Sequence, residues 1–442
     1  MMRDEDYEDI IAAFRSHEED DDFLPDMHRQ RKRNNTIISK FLGEGERKNG
    51  VVILPPYYNE LLAWALHHYL KAGGWKVIRV LGYRYPEPIY ANVNTDYDQY
   101  ENLPVEACLL VEKGDSHLII TIHPTELTGR AIIQIEGLAS KKDEIDWLGR
   151  GVDSMAREQN FYRGKKLEFA GSGIRFLHLP SNLWESIILA PDLKADIEAN
   201  TIGFLANQGR LARYGIPSRR GILLVGEPGT GKTLLCKALM AQSTGTTGII
   251  ANAEALFLTG YVSSLYELAQ DLSPCIVFIE DIDLIADERH RRVPLLSLLS
   301  QLDGVEEHER IITIATTNHL EIIDKALSQR PSRFDRVIQL PRPAIKYRRE
   351  FISSLSGKIP MDEGTQSYLA DRTEGLTPAQ IQEIVYTLVI EYSQSNHDDP
   401  ERFSFSGEEV TRAISRINGR NGHRLGFNIS ANHEYATMMR EN

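Results

Sequence analysis

The stretch GILLVGEPGTGKTLLCKALMA, residues 221–241, joins three patterns in a fixed order. Ile222–Val225 is a short apolar run that reads as a strand buried on both faces. Gly226, Glu227, Pro228, Gly229, Thr230, Gly231, Lys232 and Thr233 fit G-x-x-x-x-G-K-T, and Leu234 opens a helical pattern continued by Leu235, Ala238 and Leu239. A glycine loop between a strand and a helix turns its N–H groups inward around phosphate oxygens, at a helix N-terminus that favours negative charge. Lys232 is placed to reach β- and γ-phosphates, and the Thr233 hydroxyl to ligate Mg²⁺. The spacing predicts a P-loop over 226–234 in an α/β fold built on a parallel sheet.

Three later elements carry chemistry of the same kind. Pro274 is followed by the apolar strand Cys275–Ile279, which ends in Glu280 and Asp281, forty-eight and forty-nine residues after Lys232. In a parallel sheet such a strand delivers its carboxylates beside the glycine loop. Glu280 is expected to hold Mg²⁺ through water and Asp281 to take the proton of an attacking water. A second buried strand, Ile311–Ala315, ends in Thr316, Thr317 and Asn318, and a neutral amide there can hold that water without adding charge. Twelve residues on, Arg330 and Arg333 stand in an arginine-rich turn whose guanidinium groups suit a transferring phosphoryl group.

With these four elements in this order, the stretch from about Ser181 to Arg420 resembles the AAA clade of the AAA+ ATPases. The resemblance implies ATP and Mg²⁺ as cofactors, a large subdomain over 179–342, a helical lid over 343–420, and assembly into a ring, expected to be a homo-hexamer. It implies that Arg330 and Arg333 reach the ATP of a neighbouring copy, that Asn318 is the sensor at the strand end, and that Arg289 falls on a usual arginine position. It also implies that Tyr261-Val262, in the segment Leu258–Val262, is a pore pair gripping a moving polypeptide. Two departures stand out. Thr377-Pro378-Ala379 replaces the family's usual Ser-Gly-Ala before a lid helix, and Glu280-Asp281 reverses its usual Asp-Glu. The reversed order resembles the branch typified by the mitochondrial Rieske-protein translocase, without that branch's membrane anchor.

The remainder of the 442 residues frames this module. Residues 1–49 begin with ten carboxylates in the first 22 positions and are expected to be an acidic, disordered region with a short basic linker at Arg29–Arg33. Residues 50–178 read as a separate α/β domain that recognises a substrate or partner. It has strands at Val51–Leu54, Trp75–Tyr83 and Ile132–Ile135, a hairpin joining Ala107–Val111 to His117–Ile122, and helices at Asn59–Leu70 and Lys141–Glu158. A tail of 421–442 closes the chain. The net charge of −13 argues against a nucleic-acid partner. Three dispersed cysteines, no signal peptide and no apolar run of about 18 residues point to a cytoplasmic protein with no membrane partner.

Two functions fit. In the first, a ring-forming ATPase remodels or threads protein substrates. In the second, nucleotide toggles a switch or adaptor that activates a separate effector, such as a protease or nuclease. No protease or nuclease motif occurs in these residues, so destruction of a substrate would need a partner.

Overall fold

A computed structural model describes residues 25–124, 130–170, 173–252, 256–257, 260–286, 293–303, 310–327, 334–395 and 401–422. The chain divides into two compact units, Met1–His178 and Leu179–Asn442.

The first unit is an antiparallel sheet covered on both faces. Strands β1 (Arg47–Leu54), β2 (Lys76–Leu81), β3 (Ile89–Asp96), β4 (Gln99–Lys113), β5 (Ser116–Pro124) and β6 (Ala131–Leu138) run in the order β1-β6-β5-β4-β2, with β3 also paired to β4. The hairpin β7 (Lys166–Ala170) and β8 (Gly173–Phe176) follows in sequence. Helix α1 (Pro25–Leu42) packs on β5, while α2 (Asn59–Ala72) and α3 (Lys142–Glu158) pack on each other and on the sheet. Cys108 and Leu110 join Leu42, Leu81 and Ile119 in one cluster, and Leu109 and Val111, which alternate with them, are equally buried. Cover on both faces is why 107–111 is apolar without alternation. The crossing of α2 and α3 is tight at Gly151, where a Cβ would lie 2.1 Å from the Tyr69 ring.

Helix α1 corrects the expectation that 1–49 is a disordered region, from residue 25 onward. Ile37, Ile38, Phe41 and Leu42 recur at helical spacing on an otherwise basic and polar helix and dock on the cluster around Leu110. Residues 1–24 and the tail beyond 422 lie outside the described residues.

The second unit holds five parallel strands: β9 (Arg220–Val225), β10 (Thr247–Asn252), β11 (Cys275–Glu280), β12 (Ile311–Thr317) and β13 (Arg336–Gln339), in the order β13-β9-β12-β11-β10. Every residue of β12 and the first five of β11 are buried, as continuous apolar runs in a doubly covered sheet require. Helices α4 (Pro191–Asn200), α5 (Lys232–Gln242), α6 (Tyr261–Asp271), α7 (Val293–Asp303) and α8 (Leu320–Leu327) accompany the strands. Four further helices, α9 (Ile345–Ser356), α10 (Glu363–Arg372), α11 (Pro378–Ser395) and α12 (Gly407–Gly422), close on their own core around Ile352, Leu369, Ile384, Leu388 and Val410. Burying side chains of this size contributes about 1.5–3 kcal/mol each.

Candidate active site

The strand order brings the carboxyl ends of β9, β12 and β11 side by side, and the glycine loop leaves β9 between them and α5. Gly229 and Gly231 take φ of +83° and +96°, values L side chains rarely adopt, and Gly231 caps the N-terminus of α5. A Cβ at Gly229 would stand 2.8 Å from the Ala379 Cβ and 2.9 Å from the Thr377 hydroxyl, so this glycine also admits the lid.

Lys232 is buried and fully engaged. Its ammonium donates to the carbonyls of Gly226 at 2.7 Å and Glu227 at 3.2 Å, and to Asn318 Oδ1 at 2.7 Å. Burial pulls its pKa below the ordinary lysine value, opposed by the charges of Asp281 and Asp283. The amide of Asn318 donates in turn to Asp281 Oδ1 at 3.2 Å. Asn318 therefore links the P-loop cation to the strand-end carboxylate.

Asp281 has a φ of +52°, in the left-handed region, which costs an unbranched aspartate less than most residues. The turn is held by its own N–H, which donates to Thr316 Oγ1 at 3.0 Å. Glu280, still in β11, carries a buried Oε1 with no hydrogen-bond partner. Its charge, after burial, pushes the Cys236 thiol well above the ordinary range, so the carboxylate stands close to the inner face of α5. An orphaned buried carboxylate oxygen fits a metal-bound water, and the exposed Thr233 supplies a hydroxyl in the first turn of α5. Mg²⁺ fits this donor set of Thr233 and Glu280.

Asp283 is the residue the sequence reading passed over. It is 8% exposed, and its Oδ1 accepts from Thr317 Oγ1 at 2.8 Å and from the Asn318 backbone at 3.2 Å. It fixes the end of β12 and so the aim of Asn318. Glu227, expected among the ATP-binding residues of the P-loop, is exposed. It is paired with Arg342, whose Nε lies 3.0 Å from both carboxylate oxygens and whose Nη2 lies 2.6 Å from Oε2. Arg342 Nη1 reaches the Gly375 carbonyl at 2.7 Å, and the Ala379 N–H donates to the Gly229 carbonyl at 3.2 Å. The lid turn Gly375–Ala379 is thus tied directly to the P-loop. Pro228, Thr233 and Leu234 are exposed around it, Leu234 at 45%.

Arg330, Arg333 and Arg289 lie outside the described residues, as do Leu258 and Thr259. Beyond the arginine turn, Asp335 accepts from the Gly221 N–H at 2.7 Å and pins the chain to the start of β9. Tyr261 and Val262 require a correction. They form the first turn of α6 and are 7% and 3% exposed, so they pack into the subunit and present no gripping surface. Tyr266, five residues on, anchors the same helix through a 2.8 Å hydrogen bond with Thr313. The exposed aromatic of the segment is Phe257, at 38%, four residues before Tyr261.

Residues 222–342 match the family described as "ATPase family associated with various cellular activities (AAA)". The ATP-dependent zinc metalloprotease FtsH 3 of Sorangium cellulosum is 32% identical over 263 residues, covering 55% of this chain and 42% of its own length. The ATP-dependent zinc metalloprotease FTSH 11, chloroplastic/mitochondrial, of Arabidopsis thaliana is 34% identical over 238 residues, covering 51% of this chain and 29% of its own. The chain spans less than half the length of these curated relatives. The FIGL-1 AAA domain in complex with ADP aligns over 54% of this chain and 88% of that one, at 19% identity and a TM-score of 0.44. The chain carries an AAA ATPase domain, with ATP and Mg²⁺ as cofactors and ATP hydrolysis as its reaction.

Proposed function

We propose that this AAA ATPase domain drives a ring, a homo-hexamer, that threads or remodels protein substrates. The observation that carries the reading is the continuous path Lys232–Asn318–Asp281, which couples the phosphate-binding cation to the base. Lys232 gives up part of its carbonyl contacts to the phosphates of ATP. Asn318 orients a water against the terminal phosphate, and Asp281 takes its proton. Thr233 and, through water, Glu280 would hold Mg²⁺, which would offset phosphate charge. Within this cluster the path supplies one cation, and Arg330 and Arg333 of a neighbouring copy are assigned the rest of the charge stabilisation.

Phe257 takes the gripping role in place of Tyr261, because it is exposed and an aromatic face packs on a passing chain without demanding a sequence. The matched relatives are named ATP-dependent zinc metalloproteases, which accords with work on polypeptides. No His-Glu-x-x-His occurs within residues 1–442, and the part proposed for these residues is motor work. The Glu280-Asp281 order is the feature that favours the Rieske-protein translocase branch within the clade. Among the described residues no helix is long and apolar enough to cross a membrane.

The test compares Phe257→Ala with Tyr261→Ala, using unfolded casein to stimulate ATP turnover. Phe257→Ala is expected to fold normally, hydrolyse ATP and lose the stimulation. Tyr261→Ala is expected to lower the melting temperature, since truncating a buried aromatic costs about 3–5 kcal/mol. Full stimulation in Phe257→Ala would favour the switch over the threading motor.

A further inference from the structure

A cavity of about 280 Å³ lies within the first unit, walled by Tyr57, Glu60, Ile89, Val105, Glu106 and Tyr162 among others. Its composition is unusual for an interior. Tyr57 and Tyr162 are 8% and 1% exposed and form apolar walls, yet two carboxylates share the space. Ile89, 38% exposed, leads from the cavity to the surface.

A backbone irregularity builds it. Ile89 faces Glu106 across the β3–β4 ladder, but Tyr90 faces Pro104, so Val105 is an extra residue without a partner on β3. In a regular strand Val105 and Glu106 would point to opposite faces. The bulge lets both line the cavity and swings Glu106 inward.

Glu106 is 8% exposed, and its Oε1 is buried with no hydrogen-bond partner. Arg84 Nε stands 3.9 Å from that oxygen, beyond hydrogen-bond reach, and Arg84 Nη2 is committed to the Pro124 carbonyl at 2.9 Å. Glu60 is held by the backbone N–H of Asn94, its pKa raised by burial, and its charge helps push the Tyr162 phenol upward. Among the described residues two carboxylates line this space and one guanidinium stands beside Glu106, which leaves one negative charge uncompensated when both carboxylates are ionised. Such a charge is costly unless it is paired.

We infer that this cavity binds an alkylammonium group, the side chain of a lysine in a polypeptide. The ammonium donates to Glu106 Oε1 and the Glu60 carboxylate, and the methylene stem packs on Val105 and Ile89. Tyr57 and Tyr162 complete the wall around the stem. A single positive charge matches the single unpaired negative one. The volume falls just below the roughly 300–1,000 Å³ of sites for whole drug-sized ligands, and suits one side chain. Among the described residues no group of three His, Cys, Asp or Glu side chains forms a metal set, which favours an organic cation over a divalent ion.

The protein without nucleotide would be titrated with N-acetyl-lysine amide, N-acetyl-norleucine amide and n-butylamine. Calorimetry and ligand-observed saturation-transfer NMR read the binding. The lysine amide is expected to bind, its norleucine counterpart not, and Glu106→Gln and Glu60→Gln each to weaken binding at least tenfold. Binding of n-butylamine without the lysine amide would keep the ammonium site and overturn the polypeptide source. Equal binding of the norleucine amide, unchanged affinity in both carboxamide variants, or no binding by any probe would overturn the site itself. Thermal melts run alongside, and Glu60→Gln decides the matter where Glu106→Gln is unfolded. Because nucleotide is absent, the outcome is independent of whether the ATPase threads polypeptides.

Discussion

Lys232 and Asp281 are bonded to the two ends of the same amide: Asn318 accepts from the ammonium at 2.7 Å and donates to the carboxylate at 3.2 Å. The cation proposed to meet the phosphates and the acid proposed to meet the water are therefore linked through one neutral side chain. Asp283 and Thr317 hold that side chain's backbone in place from below.

Asn318→Ala is expected to lower kcat for ATP by about 10²-fold, the scale of a lost water-orienting group. Because Lys232 keeps its bonds to Gly226 and Glu227, KM should change little. Steady-state kinetics read both values. A variant that keeps its kcat, or raises KM alone, would place Asn318 outside the chemical step.

Arg342 and Glu227 join the P-loop to the lid at the surface, where ion pairs are screened and modest. Arg342→Ala should weaken ATP binding by about two- to fivefold, an effect that shrinks at high salt. The charge-swapped double variant, Glu227→Arg with Arg342→Glu, should recover part of the loss. Nucleotide affinity by fluorescence titration at two ionic strengths measures this, and a loss insensitive to salt would contradict an electrostatic tie.

The trans role of the arginines is testable by mixing. Arg333→Ala and Lys232→Ala should each be inactive alone, and a mixture should regain partial ATPase activity, because an intact P-loop then meets an intact arginine. Independent proof of subunit exchange with no recovery at any ratio would contradict that role.

The Glu60 carboxyl gives a pH signature. Its pKa in the fold is raised by burial, so ionising it costs more in the folded chain than in the unfolded one, and stability is highest while both are protonated. That contribution is lost as pH rises through the raised folded value. Glu60→Gln should flatten this part of the stability curve and raise the melting temperature at neutral pH relative to wild type. Tyr162 and Glu106 line the same space, Arg84 stands beside Glu106, and all three stay unchanged in the variant. Identical melting curves from pH 4 to 8 would remove Glu60 from the account.

Much of the nucleotide site was legible in the sequence because its parts sit at the ends of strands buried on both faces. Ile222–Val225, Cys275–Ile279 and Ile311–Ala315 announce themselves as continuous apolar runs, and each is followed at once by its functional residues. What was illegible depends on distance or on local geometry. Asp283 matters only because Thr317 lies beside it, thirty-four residues away in sequence. Tyr261 and Phe257 are about one helical turn apart, and no pattern tells that the helix begins right after Gly260. Helix α1 hides its stripe of Ile37, Ile38, Phe41 and Leu42 within a basic composition. The cavity around Glu106 exists because of a bulge at Val105, which follows from pairing register alone.

Two variants assayed side by side test whether the strand-end acids divide metal binding from base catalysis. Asp281→Asn should bind ATP and Mg²⁺ as wild type does, while hydrolysis falls by about 10²-fold or more, leaving ATP trapped. Glu280→Gln should instead weaken the Mg²⁺ requirement's midpoint and be partly restored by excess Mg²⁺. Bound-nucleotide analysis with a Mg²⁺ titration reads both. A trapped ATP state in Glu280→Gln, together with lost Mg²⁺ dependence in Asp281→Asn, would contradict the account and exchange the two roles.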